Sequence, residues 1–287
     1  MSLAPLELDA AGLCLRGLRQ AVAGAPRVLA LHGWLDNAAS FLPLLPHLPP
    51  LDLALLDLPG HGHSDHLPPG VPYTGASAIL QVLAAADALG WDDFIVLGHS
   101  LGAGIASQLA AAAPERVRAL VAIEGLGGLA GADADTASRL REAITAFRRA
   151  QHTPLRVFPD REAAVRARMR INALSHANAT LLVERGVRAV PGGFQWRSDP
   201  RLTLPTPVRM GEGQVQDLLR HIGCPTLIVF ADPAPAYFPD ALRLQRAALV
   251  PAARLVRLPG PHHLHMEDPQ GVGAAIGAFV RDLPTAD

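Results

Sequence analysis

The stretch "FIVLGHSLGAGIASQLAAAAPE", residues 94–115, constrains the fold more than any other part of the chain. An apolar run of strand type leads into Gly98-His99-Ser100-Leu101-Gly102, and a helical run of small residues follows at once, stopping before Pro114-Glu115. A strand that turns directly into a helix across G-x-S-x-G holds its serine at the tip of a sharp turn. The flanking glycines permit that turn and a close strand–helix approach, while Ala103 and Gly104 keep the start of the helix slim. The pentapeptide alone is a weak signal, and a serine that merely caps a helix is the bland alternative. The strand before it and the small-residue helix after it favour a presented nucleophile.

The rest of the chain repeats this alternation. "LELD" and "LCLRGLR" alternate apolar and polar residues and read as an antiparallel hairpin at a sheet edge. "RVLALHG", "LDLALLDLPGHG" and "VRALVAIEG" read as short buried strands, and "AILQVLAAADALG" as a helix with a glycine stop. Alternating strands and helices predict a mostly parallel sheet with helices on both faces. The alternation breaks between residues 125 and 213, where "TASRLREAITAFRRAQ", "DREAAVRARMRINAL" and "ANATLLVERGVRAV" read as helices with Arg-rich outer faces. It then resumes through "EGQVQDLLRHI", "PTLIVF", "PDALRLQRAAL", "ARLVRL" and "DPQGVGAAIGAFVRDL". The expected organisation is an α/β core of residues 1–124 and 214–287, with a helical cap of residues 125–213 over the carboxyl ends of the strands, where open α/β sheets bind ligands.

Composition sets limits. With 25 basic and 26 acidic residues among 287, the chain lacks the basic excess of a nucleic-acid partner. "MSLAPLELDA" has neither the basic nor the apolar region of a signal peptide, and no apolar run is long enough to span a membrane. A soluble cytoplasmic protein is expected. Cys14 and Cys224 lie in or beside apolar runs and read as buried structural thiols.

A serine that attacks an acyl group needs donors for the developing oxyanion, and backbone N–H groups at a helix start serve well. Leu101 N–H is one candidate. Trp34 N–H, in the loop after "VLALHG", is the other, although His32-Gly33-Trp34 also reads as a plain strand-ending turn.

Together "LALHGWLDNAASF", "LALLDLPGHGHSD" and "FIVLGHSLGAG" resemble the α/β-hydrolase superfamily, in family order and over nearly the whole chain. "HGWLDNAASF", "FQWRSDPRL" and "HHLHMEDP" resemble more closely the serine hydrolase-like and mesoderm-specific-transcript-like proteins. The resemblance implies an eight-stranded core with an inserted cap, no metal and no organic cofactor. It also implies that His61 and His63, in the turn from Asp57 to Asp65, are structural.

The resemblance selects the base and the acid as well. The family's catalytic histidine stands seven residues before a proline that starts the last helix. With Asp268 as cap and Pro269 as first helical residue this is His262, His263 being the alternative and His265 a packing residue. His47, His152 and His221 sit in surface contexts. The family's usual acid position, in the loop after "PTLIVF", is filled by Ala234, and Asp232 stands two residues early. Some haloalkane dehalogenases carry the acid one strand back. Glu124 occupies that register, 24 residues beyond Ser100, and a carboxylate at the end of an apolar strand needs a partner. Glu124 is therefore favoured over Asp232.

The expected function is hydrolysis of a small-molecule carboxylic ester, thioester or lactone by Ser100, His262 and Glu124, with Leu101 and Trp34 N–H groups at the oxyanion. A ligand receptor built on the same pocket and a hydrolase of carbon–carbon bonds are the alternatives. Phe41, Trp34, Phe147, Phe158, Phe194, Trp196 and Tyr237 are candidate pocket walls, with Tyr237 and Phe238 at its edge. "FQWRSDPRL" fits either a brace between core and cap or a substrate contact.

Overall fold

The structure, a computed structural model, describes residues 3–150 and 155–284. Its frame is one sheet of eight strands among the described residues. In chain order these are β1 (Ala4–Ala10), β2 (Leu13–Gln20), β3 (Arg27–Leu31), β4 (Asp52–Leu56), β5 (Phe94–His99), β6 (Val117–Ile123), β9 (Thr226–Asp232) and β10 (Ala253–Pro259). They lie side by side as β1-β2-β4-β3-β5-β6-β9-β10. The first two form an antiparallel hairpin whose second strand runs antiparallel to β4, and all other pairings are parallel.

The central strands are buried on both faces, so period-two alternation sorts their side chains into two cores rather than core and solvent. Leu29, Leu31, Val96, Leu120, Ala122, Ile228 and Phe230 face one core. It is closed by α1 (Gly75–Ala88), α2 (Leu101–Ala112), α6 (Glu212–Arg220) and α7 (Asp240–Ala247). Val28, Ala30, Ile95, Leu97, Val121, Val229 and Ala231 face the other, closed by short 3-10 helices after β3 and by α9 (Pro269–Arg281). Helices on both faces follow from strands with no polar face to show to water.

Between β6 and α6 the chain forms α3 (Thr136–Ala150), α4 (Arg161–Asn172), α5 (His176–Gly186) and a hairpin of β7 (Val187–Val190) and β8 (Gly193–Trp196). The helix expected to run to Val190 thus stops at Gly186. Val187 and Val190 are β-branched, and Gly192 and Gly193 adopt positive φ in the turn, so the segment pairs as a hairpin instead. These elements have their own apolar cluster, in which Phe158, Ala164, Val165, Leu182 and Val183 pack with Met266 from the core.

Ion pairs tie this segment to the sheet. Asp57, fully buried after β4, accepts from the Ala38 and His63 backbone N–H groups, each at 2.8 Å. Arg185 on α5 donates to it through Nε, at 3.0 and 2.9 Å, and approaches within 2.7 Å through Nη2. "FQWRSDPRL" acts as a brace. Asp199 accepts from the Tyr73 hydroxyl at 2.8 Å, and its N–H donates to the Gly60 carbonyl at 2.8 Å. Arg201 holds Asp199 and also donates to the Pro68 and Val71 carbonyls. Of the cysteines, both free, Cys224 is buried as expected but Cys14 is only half-buried, because β2 shows part of one face to solvent. No helix of the described residues is long and apolar enough to cross a membrane.

Removing one partner of a buried pair leaves an uncompensated charge, typically costing about 3–5 kcal/mol. Arg185→Met is therefore expected to lower the urea midpoint markedly, and adding Asp57→Asn to restore part of it. An unchanged midpoint in the single variant would show that Asp57 does not depend on Arg185.

Candidate active site

The elbow between β5 and α2 has the strained form its sequence implies. Ser100 has φ 51° and ψ −110°, a conformation that costs an L-residue on the order of 1–3 kcal/mol. The turn closes only with glycine on either side. A Cβ on Gly98 would run into the Gly102 carbonyl, and one on Gly102 into the Leu31 carbonyl of the neighbouring strand.

Three predicted residues converge on this tip. The Ser100 Oγ lies 2.9 Å from His262 Nε2, and His262 Nδ1 lies 2.9 Å from Glu124 Oε2. With Nδ1–H donating to the carboxylate, Nε2 is left to accept the serine proton. His262 comes from the turn between β10 and the single helical turn α8 (Leu264–Glu267). Glu124 directly follows β6 and extends its ladder, its N–H donating to the Val229 carbonyl at 2.9 Å. It also has positive φ, 54°, which turns its side chain across the end of β9.

Asp232 stands apart from this group. It is exposed at the end of β9, with Arg257 3.3 Å away, and has no contact with His262. The loop after it presents Tyr237 instead, whose hydroxyl lies 3.2 and 3.3 Å from the two ring nitrogens of His262. Partial burial of the hydroxyl, aided by the Glu124 carboxylate, pushes the Tyr237 phenol up to about 12 although the side chain is largely exposed, so it remains protonated at neutral pH. Phe238 does not edge the site, since it is buried edge-on against Phe230. Phe41 and Phe158 are likewise core residues rather than walls.

The two residues expected at the oxyanion stand at the same end of the sheet. Leu101 opens α2, where N–H groups have no acceptor within the helix. β3 lies beside β5 with Leu31 opposite Gly98, so the turn carrying Trp34 leaves the sheet next to the elbow. The Trp34 side chain is exposed and donates through Nε1 to the Leu202 carbonyl at 2.9 Å.

Sequence reasoning missed two sets of partners. One is Arg243, fully buried on α7, which donates to both oxygens of Glu124 at 2.9 Å. The other surrounds His263, which is not at the serine but 3.2 Å from Asp36. Arg168 of α4 holds the other oxygen of Asp36, and His99 of the elbow lies 3.7 Å from it. Burial alone would raise the Asp36 carboxyl, but His263 and Arg168 hold it well below the usual carboxylate range. Asp36, His99 and His263 are also the one group of described residues with donor atoms close enough to hold a metal ion. Their carboxylate is already engaged on both oxygens, as part of a hydrogen-bond network. An "HGWLD" acid beside a second histidine was the available signal for that network.

Among the described residues no other histidine makes a hydrogen bond to Ser100. Burial pushes His61 down to about 3, and its Nδ1 meets the Pro59 carbonyl at 3.1 Å. His63 is half-buried, and burial and Arg185 lower it as well. His47 and His221 are exposed, and His152 lies outside the described residues.

Comparison with known proteins came to the same architecture. The family described as "alpha/beta hydrolase fold" matches residues 26–269. A serine hydrolase-like protein of Danio rerio is 30% identical over 264 residues, covering 88% of this chain and 81% of that protein. The lipase LipV of Mycobacterium tuberculosis is 32% identical over 230 residues, covering 78% and 81%. The crystal structure of a hypothetical protein from Pseudomonas aeruginosa superposes with a TM-score of 0.92 at 36% identity, covering 98% of this chain and 99% of that one.

Buried histidines give the fold a pH dependence, and burial lowers His32 and His265 in the same direction as His99 and His61. Burial pushes His99 down to about 4 and His61 to about 3. Unfolding returns both to the ordinary range near 6.5, so the unfolded chain binds more protons as pH falls. Their stabilising contribution is complete above about pH 6.5 and is lost toward pH 4, at up to about 1.4 kcal/mol per pH unit for each group. Urea midpoints are expected to fall steadily from pH 7 to pH 5. Equal midpoints at the two pH values would mean that none of these histidines is held neutral by the fold.

Proposed function

The chain belongs to the α/β-hydrolase family, among its serine hydrolase-like members, and from that premise we propose that it is a serine hydrolase of carboxylic esters, thioesters or lactones. The reading rests on one observation, the continuous run of two 2.9 Å contacts from Ser100 Oγ through the His262 ring to Glu124. Ser100 attacks the acyl carbon while His262 Nε2 takes its proton, and the same proton then goes to the leaving oxygen or sulfur. Water, deprotonated by His262, releases the acid and restores the serine. Glu124 fixes the tautomer and stabilises the imidazolium formed in each half-reaction. The Leu101 and Trp34 N–H groups receive the oxyanion.

Residues 125–213 serve as a cap in this reading, clamped to the core by the Asp57–Arg185 and Asp36–Arg168 pairs. A relative called a lipase, 32% identical, supports ester chemistry. Substitution of the serine by the aspartate that dehalogenases use would be needed for their usual route, so that chemistry is disfavoured.

A fluorophosphonate is expected to label folded protein at Ser100, and Ser100→Ala to abolish both labelling and turnover of an ester panel. Failure of wild-type protein to label would favour a receptor that keeps the pocket without the chemistry. Glu124→Gln is expected to lower kcat by about 10³- to 10⁴-fold, as loss of a triad acid does, and Asp232→Asn to leave it nearly unchanged. An inactive Asp232→Asn beside an active Glu124→Gln would reverse the assignment of the acid.

A further inference from the structure

We propose that Arg243 is a positioning residue of this site, which holds the Glu124 carboxylate toward His262 and, by sharing its charge, tunes His262 as a base. The proposal rests on the triad reading above. Its starting point is the count of donors on Glu124. Oε1 accepts from the Ala231 N–H at 2.5 Å and from Arg243 Nη2 at 2.9 Å. Oε2 accepts from Arg243 Nη2 at 2.9 Å and from His262 Nδ1 at 2.9 Å. A carboxylate has about four lone-pair sites, so this one is full and has a single orientation.

Arg243 does more than balance charge. Its Nη1 donates to the Ala231 carbonyl at 2.7 Å. Glu124, Ala231 and Arg243 thus form a closed ring of bonds, in which residue 231 gives its N–H to the acid and its carbonyl to the cation. The guanidinium lies 4.7 Å from the Phe230 ring centroid and 5.5 Å from that of Phe238, in van der Waals and cation–π contact. Arginine suits this role because its planar fork reaches a carboxylate and a carbonyl at once, which a lysine ammonium on a flexible stem does not.

The electrical consequence falls on His262. Ser100 lies at Nε2, Glu124 at Nδ1, and the Tyr237 hydroxyl near both nitrogens. The rings of His99 and His263 lie at centroid distances of 4.9 and 5.4 Å, with His265 tilted against His99 at 4.0 Å and the Asp36–Arg168 pair behind them. Glu124 is the one anion in direct contact with the ring among these described groups, and Arg243 is bonded to it. Taking away the cation strengthens the pull of Glu124 on a protonated imidazole, so a higher pH is needed to obtain the neutral base.

The test is kcat/KM against pH for wild type, Arg243→Met and Arg243→Lys, with an ester that the wild-type protein turns over. Fluorophosphonate labelling counts the folded sites. Arg257→Gln, which removes an exposed cation paired with Asp232 and Asp240, is the control. Arg243→Met is expected to move the acid limb up by about one pH unit and to lower kcat. Arg243→Lys should return the limb to within a few tenths of wild type while kcat stays reduced, and Arg257→Gln should leave the limb in place. A folded, labelled Arg243→Met with its limb at the wild-type position overturns the proposal and leaves the triad standing. Wild-type protein that neither labels nor turns over overturns the triad and the proposal together. Should Arg243→Met fail to fold, Arg243→Gln removes the charge but keeps a donor for Ala231, with the same two outcomes.

Discussion

A carboxylate at the end of a central strand is the constraint on which the site turns. Glu124 is 2% exposed, and an ionised group without water must have every lone pair met by a donor. Those donors come from three separate elements: β9 supplies the Ala231 N–H, α7 supplies Arg243, and the turn after β10 supplies His262. Each is distant in sequence from residue 124 and adjacent to it in space because β6, β9 and β10 are neighbours in the sheet. The positive φ of Glu124 is part of the same requirement. A strand that continued straight would carry the side chain to one face of the sheet, whereas the turn swings it across the edge.

The adjacent histidine repeats the chemistry in another direction. His263 meets Asp36, and Asp36 meets Arg168, just as His262 meets Glu124 and Glu124 meets Arg243. The first of these chains crosses from the core to α4, and the second stays within the core. The inserted segment also has its own apolar cluster, to which the core contributes Met266. Paired charges therefore help to fix where the segment sits, beside the Asn37–Leu182 and Asn178–Met266 hydrogen bonds and the Met266 contact. Such pairs are geometrically selective even where their net contribution to stability is small, because leaving one partner buried alone is costly.

The fold was legible in the sequence because its signals are local. Strand–helix alternation, the glycines around Ser100 and the proline after Asp268 each fix an element within a few residues. Ser100 could be read from those marks, whereas His262 and Glu124 followed from the family resemblance, whose registers were counted from them. Arg243 could not be read either way, since "PDALRLQRAAL" reads as an ordinary amphipathic helix and nothing local says which arginine points inward. Arg168 was hidden for the same reason among the arginines of "DREAAVRARMRINAL". Pattern arguments assign arginine to the solvent face by default, and only the position of a buried acid reverses that assignment. The hairpin of residues 187–196 was missed where a helical period and a β-branched run overlap.

The loop after β9 follows from the same logic. The Ala231 N–H, which leads into that loop, is already committed to Glu124, and Arg243 takes the Ala231 carbonyl. The end of β9 is thus fixed by an acid that lies on the neighbouring strand. Asp232, one residue on, is turned to solvent and paired with the exposed Arg257, where high dielectric weakens the pair. The loop is free to present Tyr237 against His262 instead of a carboxylate. A phenol kept protonated there adds a hydroxyl beside the imidazole without adding a second negative charge, so Glu124 remains the one anion in contact with the His262 ring among the described residues.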